Sequence, residues 1–384
     1  MKKICIVVGA RPNFVKVAPL IRAIQKSEGA AYELVYAGRD DDPTLESSLF
    51  DDLQMPRPDV FLGVVSQSLN EITAQVMGAF DRYLDEHPAD VVIVVDDLAS
   101  TMAAAITAKK RGVRLAHLVA GTRSFDISMP KEVNRLVIDA LSDYLFTAGV
   151  KTTSVATREQ QSDTSQTYMV GNILMDSLRY NLPRFRRPDI GIEEGRYIVL
   201  TLNRRALLSN EASLRQMLQT MAEAAAGVPI IAPLRDSALN TVSRLLPSPP
   251  SSLLCKQSEQ ARAHPSPFTL HPSPSTLPPS PIALHPSLPY LEFGWLTAHA
   301  LGIITDSGNV AEEATFNGVP CITLNDYTEH QETVTVGTNV LVGGDPEKLR
   351  TALADMVGGN WKKCALPDRW DGRTAERIVS ILFE

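Results

Sequence analysis

Short apolar runs rich in β-branched residues alternate, along the first half of the chain, with stretches whose apolar residues recur every three or four positions. The first pattern predicts buried strands, and the second predicts amphipathic helices. The predicted strands are residues 3–9, 33–38, 90–95, 114–119 and 144–149. Because helices separate them, the pattern indicates βαβ units and a parallel sheet.

The same alternation begins again after the sequence TYMVGN at 167–172, with predicted strands at 197–203, 228–233, 300–306 and 319–326. We therefore expect an α/β fold of two Rossmann-like doubly wound domains facing a cleft. The expected domains are residues 1–171, joined by a C-terminal helix at about 371–384, and residues 172–370. Ligands of such sheets lie beyond the carboxyl ends of the strands, so loops of both domains should face the cleft.

A proline-rich insert at 247–289 interrupts the second half. From residue 264 it repeats every seven residues as HPSPFTL, HPSPSTL, PPSPIAL and HPSLPYL. Proline removes backbone donors and clashes inside helices, so the heptad does not indicate a coiled coil but a polyproline-like or disordered loop. The apolar residues 282–284 are the remnant of a strand in this interpretation. His264, His271 and His285 share a metal-ligand-like spacing, but tandem duplication alone produces it, and we predict no metal site.

Composition narrows the class of protein. A chain of 384 residues with 44% apolar residues can bury two cores, and its net charge of -7 without a basic block argues against nucleic acid or an anionic membrane as a partner. The cysteines are scattered without metal-ligand spacing, at Cys5, Cys255, Cys321 and Cys364. The N-terminus is too briefly apolar for a signal peptide, and no stretch has the length of a membrane span. We expect a reduced, cytoplasmic protein.

Two strand-to-helix turns have the composition of anion sites. The first, VVGARPNFVKVAPL at 7–20, places Arg11 and Lys16 in the first turns of a helix, where free N–H groups and the helix dipole favour anions. The second, TDSGNVAEEA at 305–314, opens with Ser307 and Gly308, and Glu313 follows where a carboxylate can accept ribose hydroxyls. Two such turns facing one cleft predict a nucleotide diphosphate. Phe293 is either a stacking surface for its base or a core aromatic.

The stretch HLVAGTRSFDISMPKEVNR, at 117–135, is a predicted strand, loop and helix start, where α/β proteins usually place chemistry. It offers Val119 and Lys131 where acids would serve catalysis. Glu132 lies one residue beyond Lys131, and one step on a helix turns a side chain by about 100°. Asp96 beside Asp97 resembles a carboxylate pair, but adjacent residues at a strand end tend to diverge.

Six blocks of the chain, in order, resemble the non-hydrolysing UDP-N-acetylglucosamine 2-epimerases: GARPNFVKVAPL, STMAAAITAKKRG, GTRSFDISMPKEVNRLVIDALSDYLF, VGNILMDSL, TDSGNVAEEA and TEHQETVTVGTNVLVGG. The resemblance implies a glycosyltransferase-B-like arrangement that binds UDP or UDP-GlcNAc, a homodimer, and no cofactor. The implied reaction converts UDP-GlcNAc to UDP-ManNAc by elimination and re-addition of UDP, for cell-surface polysaccharide precursors.

The resemblance also assigns roles to single residues. Of the four catalytic positions of the family, only Asp97 is retained, and the others are Val119, Lys131 and Asn203. The implied substrate-binding residues are Arg11, Lys16, Arg123, Arg135, Arg204, Phe293, Ser307, Gly308 and Glu313. Three hypotheses follow: an epimerase with a rearranged site and weak turnover, a catalytically degenerate paralogue that binds a UDP-sugar, or a decaying gene product destabilised by its insert.

Overall fold

The computed structural model of the protein describes residues 2–27, 30–160, 164–246 and 281–383. Strands and helices alternate through the first half of the described chain. They are β1 (Lys2–Val8), α1 (Arg11–Lys26), β2 (Ala30–Tyr36), α2 (Ser47–Leu53), β3 (Val60–Phe61), α3 (Leu69–Glu86), β4 (Val91–Val95), α4 (Ala99–Lys110), β5 (Arg114–Ala120), α5 (Pro130–Leu141), β6 (Tyr144–Thr147), α6 (Val150–Arg158) and β7 (Gln166–Met169).

Helix α7 (Ile173–Asn181) and a 3-10 turn (Leu182–Arg184) lead into a second alternating series. Its elements are β8 (Ile198–Thr201), α8 (Arg205–Ser209), α9 (Glu211–Ala224), β9 (Ile230–Leu234), α10 (Asp236–Leu245), β10 (Ile282–Pro286), α11 (Tyr290–Ala298), β11 (Gly302–Thr305), α12 (Gly308–Asn317), β12 (Cys321–Thr323), α13 (Glu332–Thr335), β13 (Asn339–Leu341), α14 (Pro346–Val357) and α15 (Thr374–Phe383).

The strands form two parallel sheets. The first has the order β3-β2-β1-β4-β5-β6-β7 and the second β10-β9-β8-β11-β12-β13. The strand order reverses direction beside β1 in the first sheet and beside β8 in the second. In a doubly wound sheet the connections diverge at this position and leave a crevice at the carboxyl ends of the strands. The topology therefore places ligand-binding loops after β1, β4, β8 and β11.

Each sheet is buried on both faces, which explains the near-continuous apolar runs of its central strands. All five residues of β4 are buried. One face of the first sheet packs on α1 and α15 through residues such as Phe14, Ile21 and Ile378, and the other packs on α3 and α4. Helix α15 therefore packs on the first sheet. The domain boundary at residues 171 and 172 stays a prediction.

The structure confirms the predicted alternation, with shifts of a few residues at the strand ends. The pattern did not predict β3, β7 or β13. Strands β3 and β13 have two and three residues, too few to show a period, and β7 has no apolar run because half of its four residues are polar. Residues 282–284 do form a strand, since β10 pairs with β9 from Ile282 opposite Ile230. Residues 247–280 of the predicted insert, which include His264 and His271, lie outside the described residues.

Two further findings concern the described residues only. No group of three or more His, Cys, Asp or Glu side chains is placed to hold a metal ion in them. None of their helices combines the length and the apolar character needed to cross a membrane.

Candidate active site

A cleft between the two sheets collects residues that the sequence predicts to be functional. Arg11, Asn203, Phe293, Ser307 and Glu313 line one cavity of about 360 Å³. Arg11 follows β1 of the first sheet, whereas the other four belong to the second. Both sheets therefore contribute to one site at the carboxyl ends of their strands.

The turn between β1 and α1 is held in place by Asn13. Its Oδ1 accepts the N–H groups of Gly9 at 3.0 Å and Ala10 at 3.2 Å. A Cβ atom at Gly9 would lie 2.0 Å from the hydroxyl of Ser100, so the turn requires glycine. Arg11 then begins the helix and forms no ion pair within the described residues, while burial lowers the pKa of its guanidinium. Its charge is thus available to an anion in the cavity.

The second turn joins β11 to α12 with Ser307 as the N-cap residue. The carboxylate of Asp306 accepts the N–H groups of Asn203 at 2.7 Å and Arg204 at 2.7 Å, which ties this turn to the loop after β8. Arg204 donates to the carbonyl of Asp306 and to the Tyr327 hydroxyl. Gly308 and Arg204 line a smaller adjoining cavity rather than the main one. Asp306, which the sequence analysis missed, is the residue that organises both loops.

Glu313 lies at the wall of the cavity on the second turn of α12. Burial, together with the neighbouring carboxylate of Glu312, raises its pKa to about 8. The side chain is therefore largely protonated at neutral pH in the ligand-free protein. A polar ligand that hydrogen-bonds to the carboxylate would favour its ionised form.

Asp96 and Asp97, at the end of β4, turn to different partners. Asp96 has a φ of 59° and accepts from Lys16 Nζ at 2.6 Å and Asn13 Nδ2 at 2.8 Å. Asp97 accepts from Arg135 Nε at 2.9 Å and Nη2 at 2.5 Å. The two carboxylates thus bind separate cations and form no pair with each other.

Lys131 also faces Asp97. Its Nζ lies 3.3 Å from Asp97 Oδ1, and the lysine side chain is 58% exposed. Burial alone would raise the pKa of Asp97, but Lys131 and Arg135 outweigh it and hold the pKa below its usual value. Asp97 is consequently ionised at neutral pH. Lys131, a cation, occupies the position after Pro130 at which the family pattern has an acid.

Val119 stands at the end of β5 with a φ of 75°. This left-handed conformation is unusual for any residue with a side chain and most strained for a β-branched one. Backbone outliers of this kind cluster at functional sites. The strained backbone therefore makes this loop, which has an apolar side chain at Val119, a candidate part of a functional site.

Glu132 supports the loop and does not face the cavity. It is buried, and its carboxylate accepts the N–H groups of Ser124 at 2.9 Å and Phe125 at 3.0 Å. It also pairs with Arg135 at 3.1 Å. Glu132 therefore does not replace the acid that the family pattern places at Lys131.

The structure places the remaining predicted binding arginines away from the main cavity. Arg123 is buried against Asp139 at 2.7 Å and Glu159 at 2.9 Å. Arg135 connects the sheets, because its Nη2 also contacts Glu329 of the second sheet at 2.5 Å. The sequence does not single out Asp139 or Glu329, since nothing in the spacing shows that they meet arginines 16 and 194 positions away.

His117, a residue of β5, fixes the start of the loop that follows Val119. Its Nδ1 lies 2.5 Å from Asp139 Oδ1, and its Nε2 lies 3.0 Å from the carbonyl oxygen of Asp96. Asp139 also accepts the N–H of Gly121 at 3.0 Å. These buried contacts link the ends of β4 and β5, and so hold Asp96 and Val119 in their left-handed conformations.

Comparison with known proteins gives concordant matches over most of the chain. A family model for UDP-N-acetylglucosamine 2-epimerase matches residues 22–383. The UDP-N-acetylglucosamine 2-epimerase of Methanocaldococcus jannaschii is 31% identical over 390 residues, covering 99% of this chain and 98% of that protein. The UDP-2,3-diacetamido-2,3-dideoxy-D-glucuronate 2-epimerase of Pseudomonas aeruginosa is 28% identical over 362 residues, covering 92% and 93%.

Among solved structures, the Methanocaldococcus jannaschii UDP-GlcNAc 2-epimerase in complex with UDP-GlcNAc and UDP matches with a TM-score of 0.80. The identity is 29%, and 99% of each chain is covered. The match confirms the expected two-sheet α/β arrangement of glycosyltransferase-B type.

Proposed function

The chain belongs to the UDP-N-acetylglucosamine 2-epimerase family, and we propose that its cleft binds UDP-N-acetylglucosamine and inverts the C2 carbon of the sugar. The observation that carries the proposal is the meeting of Arg11, Ser307 and Glu313 in one cavity. These groups provide a cation, a helix N-terminus and a carboxyl group, which suit a diphosphate and a ribose.

In the proposed complex, the uracil ring packs against Phe293 and the ribose hydroxyls meet Glu313. The diphosphate lies between the N-termini of α1 and α12, close to Arg11. Lys16 is buried against Asp96 and adds positive charge behind the first turn. The sugar then extends toward the buried Asp97 and the exposed Lys131.

The reaction needs a base for the C2 proton and charge stabilisation for the leaving group. Asp97 is the base in this proposal, because it is ionised and retained from the family pattern. As it takes the proton, the electron pair of the C2–H bond forms a C1=C2 double bond, the C1–O bond breaks, and UDP leaves with the electron pair of that bond. Re-addition of the UDP oxygen to C1, with protonation of C2 by water on the opposite face, gives the epimer, and Asp97 returns its proton to the solvent. Arg11 and the two helix N-termini stabilise the departing diphosphate.

Exchange of the C2 proton of UDP-GlcNAc with deuterated solvent tests this function, because it reports the first chemical step. We expect exchange that depends on Asp97 and is lost in Asp97→Asn. We expect it to be at least about 10⁴-fold slower than in a relative with all four groups, since one misplaced acid or base costs about 10²–10⁴.

A second candidate is UDP-sugar binding without turnover. It is favoured by Val119 and Asn203, whose side chains cannot carry a proton, and by Lys131, which pairs with Asp97. The comparisons give this alternative no support. It predicts calorimetric binding of UDP-GlcNAc with no C2 exchange in either the unmodified protein or Asp97→Asn.

A homodimer and a cytoplasmic location complete the proposal. The location rests on the scattered cysteines of the sequence.

The dimer is supported by apolar side chains around α5, where Phe125 is 64% exposed and Ile127 is 66% exposed. Val133 and Leu136, one helical turn apart on α5, are also exposed. Sedimentation equilibrium of the unmodified protein and of Ile127→Glu tests the proposed dimer, which the charge should weaken.

A further inference from the structure

A second cationic surface lies outside the cleft, between α1, α7 and the start of α15. It is a groove of about 740 Å³ bordered by basic side chains. We call it the basic groove, and its basic residues are Arg22, Lys26, Arg179, Arg184 and Arg373. The chain as a whole has a formal net charge of -7, so this cluster of five basic residues has the opposite sign to the net charge of the protein.

The charges of the basic groove lack acidic partners. The nearby Arg186 and Arg377 form ion pairs with Asp52 and Asp371, but none of the five groove cations has such a pair in the described part of the chain. Arg22, Arg179 and Arg184 donate to neutral carbonyl groups, for example Arg179 Nη1 to Asp371 O at 3.1 Å.

Two acids lie at the edge of the groove without neutralising it. Asp176 is buried and uses its oxygens to accept the N–H groups of Thr374 and Ala375, at 3.1 and 2.8 Å. Glu376 is exposed at the rim. The carboxylate nearest the floor is therefore occupied by backbone donors.

Arg22 forms the floor of the basic groove. Its guanidinium carbon lies 3.8 Å from the ring centroid of Tyr180, and that of Arg184 lies 5.6 Å from the same ring. Arg22 Nη1 donates to the carbonyl of Leu53 at 2.8 Å, whereas Nη2 is buried without an acceptor among the described residues. Burial lowers the pKa of Arg22, and the like charge of Arg184 acts in the same direction. Two guanidinium groups held at one ring repel each other, and an anion between them would relieve that repulsion.

We propose that the basic groove binds a small phosphate-bearing anion, such as pyrophosphate or the phosphate end of a metabolite. Guanidinium groups match phosphate oxygens in geometry, and a lysine at the rim adds a point charge. Arg22 covers a face of Tyr180, and no other aromatic side chain among the described residues lines the groove, so a nucleobase has little ring surface on which to stack. The ligand is therefore recognised through its phosphate and not through a base.

The site is separate from the cleft, although both use α1. Arg11 begins this helix at the cavity, whereas Arg22 and Lys26 lie in its last turns. Pyrophosphate can also bind at the cleft, so the experiment must distinguish the two positions. Titration into protein saturated with UDP, at constant ionic strength, leaves the basic groove as the free site.

The test is isothermal titration with inorganic pyrophosphate. We expect the double variant Arg179→Gln and Arg373→Gln to bind it at least tenfold more weakly than the unmodified protein. Both side chains are exposed, so the fold should tolerate the changes. Arg158→Gln removes an exposed arginine outside the groove and should leave the affinity unchanged.

Equal pyrophosphate affinity in the unmodified protein and the double variant would overturn the proposal, as would the absence of binding to folded protein at millimolar pyrophosphate. Co-sedimentation with phosphatidylglycerol vesicles distinguishes a lipid headgroup from a free phosphate. Vesicle binding that is lost in the double variant, without pyrophosphate binding, would also contradict a small-anion site.

Discussion

Single residues of the cleft carry properties that the fold alone does not require. Glu313 is an acid held protonated near neutrality by burial and by Glu312, and Val119 is a β-branched residue in a left-handed conformation. Each property raises the free energy of the folded, ligand-free protein. Each therefore gives a measurable consequence when the ligand binds or the side chain is changed.

Binding of UDP-GlcNAc should strengthen as pH rises toward the pKa of Glu313, about 8, and level off above it. The reason is that a carboxylate accepts ribose hydroxyls, and below that pKa a proton must first be lost. The affinity should change by up to about tenfold per pH unit. UDP-GlcNAc suits calorimetry between pH 6.5 and 9 because its diphosphate has no group that titrates there.

Glu313→Gln is the matched control, because glutamine keeps the size of the side chain but does not titrate. Its affinity should be independent of pH over this range. A pH dependence that persists unchanged in Glu313→Gln would assign the proton to another group.

Replacing Val119 by glycine should change the free energy of unfolding by less than about 1 kcal/mol. Glycine adopts a positive φ freely, so relief of about 1–2 kcal/mol of strain offsets the lost side-chain contacts. The matched control is Val340→Gly, a half-buried valine of β13 without a positive φ, which should cost about 2–3 kcal/mol. Urea unfolding measures both, and equal losses would show that Val119 is not strained.

At the scale of elements, the C-terminal helix α15 depends on α7 for its first turn. Asp176 of α7 accepts the N–H groups of Thr374 and Ala375, both buried. The helix then packs Ile378 and Leu382 into the core of the first sheet. One carboxylate therefore couples the connection between the sheets to the end of the described chain.

Asp176→Ala should reduce the free energy of unfolding by about 2–4 kcal/mol, because it leaves two buried N–H groups without their acceptor. Asp371→Ala, which removes an ion pair at the surface, should cost less than about 1 kcal/mol. Limited proteolysis followed by mass spectrometry should show earlier cleavage near α15 in Asp176→Ala. Cleavage at the same rate in both variants would mean that packing alone holds the helix.

At the scale of the whole molecule, the sequence predicts the two sheets better than it predicts the side-chain contacts of the site between them. Burial on both faces of each sheet produces continuous apolar runs in the sequence. These runs predict a strand wherever the strand has enough residues to form one. The turns at Arg11 and Ser307 are also predictable, because a glycine-bearing turn before a helix has a local signature. The pairing of Arg135 with Glu329, and the use of Glu132 as a loop support, depend on tertiary contacts that leave no local pattern.

The two sheets together supply the positions at which the family pattern has its catalytic groups. Val119 and Lys131 belong to the first sheet and its helices, whereas Asn203 follows β8 of the second and lines the main cavity. Restoring the family pattern with Val119→Glu, Lys131→Glu and Asn203→His should raise C2 exchange by about 10²-fold or more. The lysine change also removes a cation from Asp97 and so makes it a stronger base.

The double variant Val119→Glu and Lys131→Glu is the control that restores one side of the cleft only. It should recover less exchange than the triple variant, because acid and base groups that act together are strongly non-additive. Exchange is measured by proton NMR of UDP-GlcNAc in deuterated buffer, with calorimetry showing that each variant still binds UDP. A triple variant that binds UDP and exchanges no faster than the unmodified protein would show that these three positions do not limit the reaction.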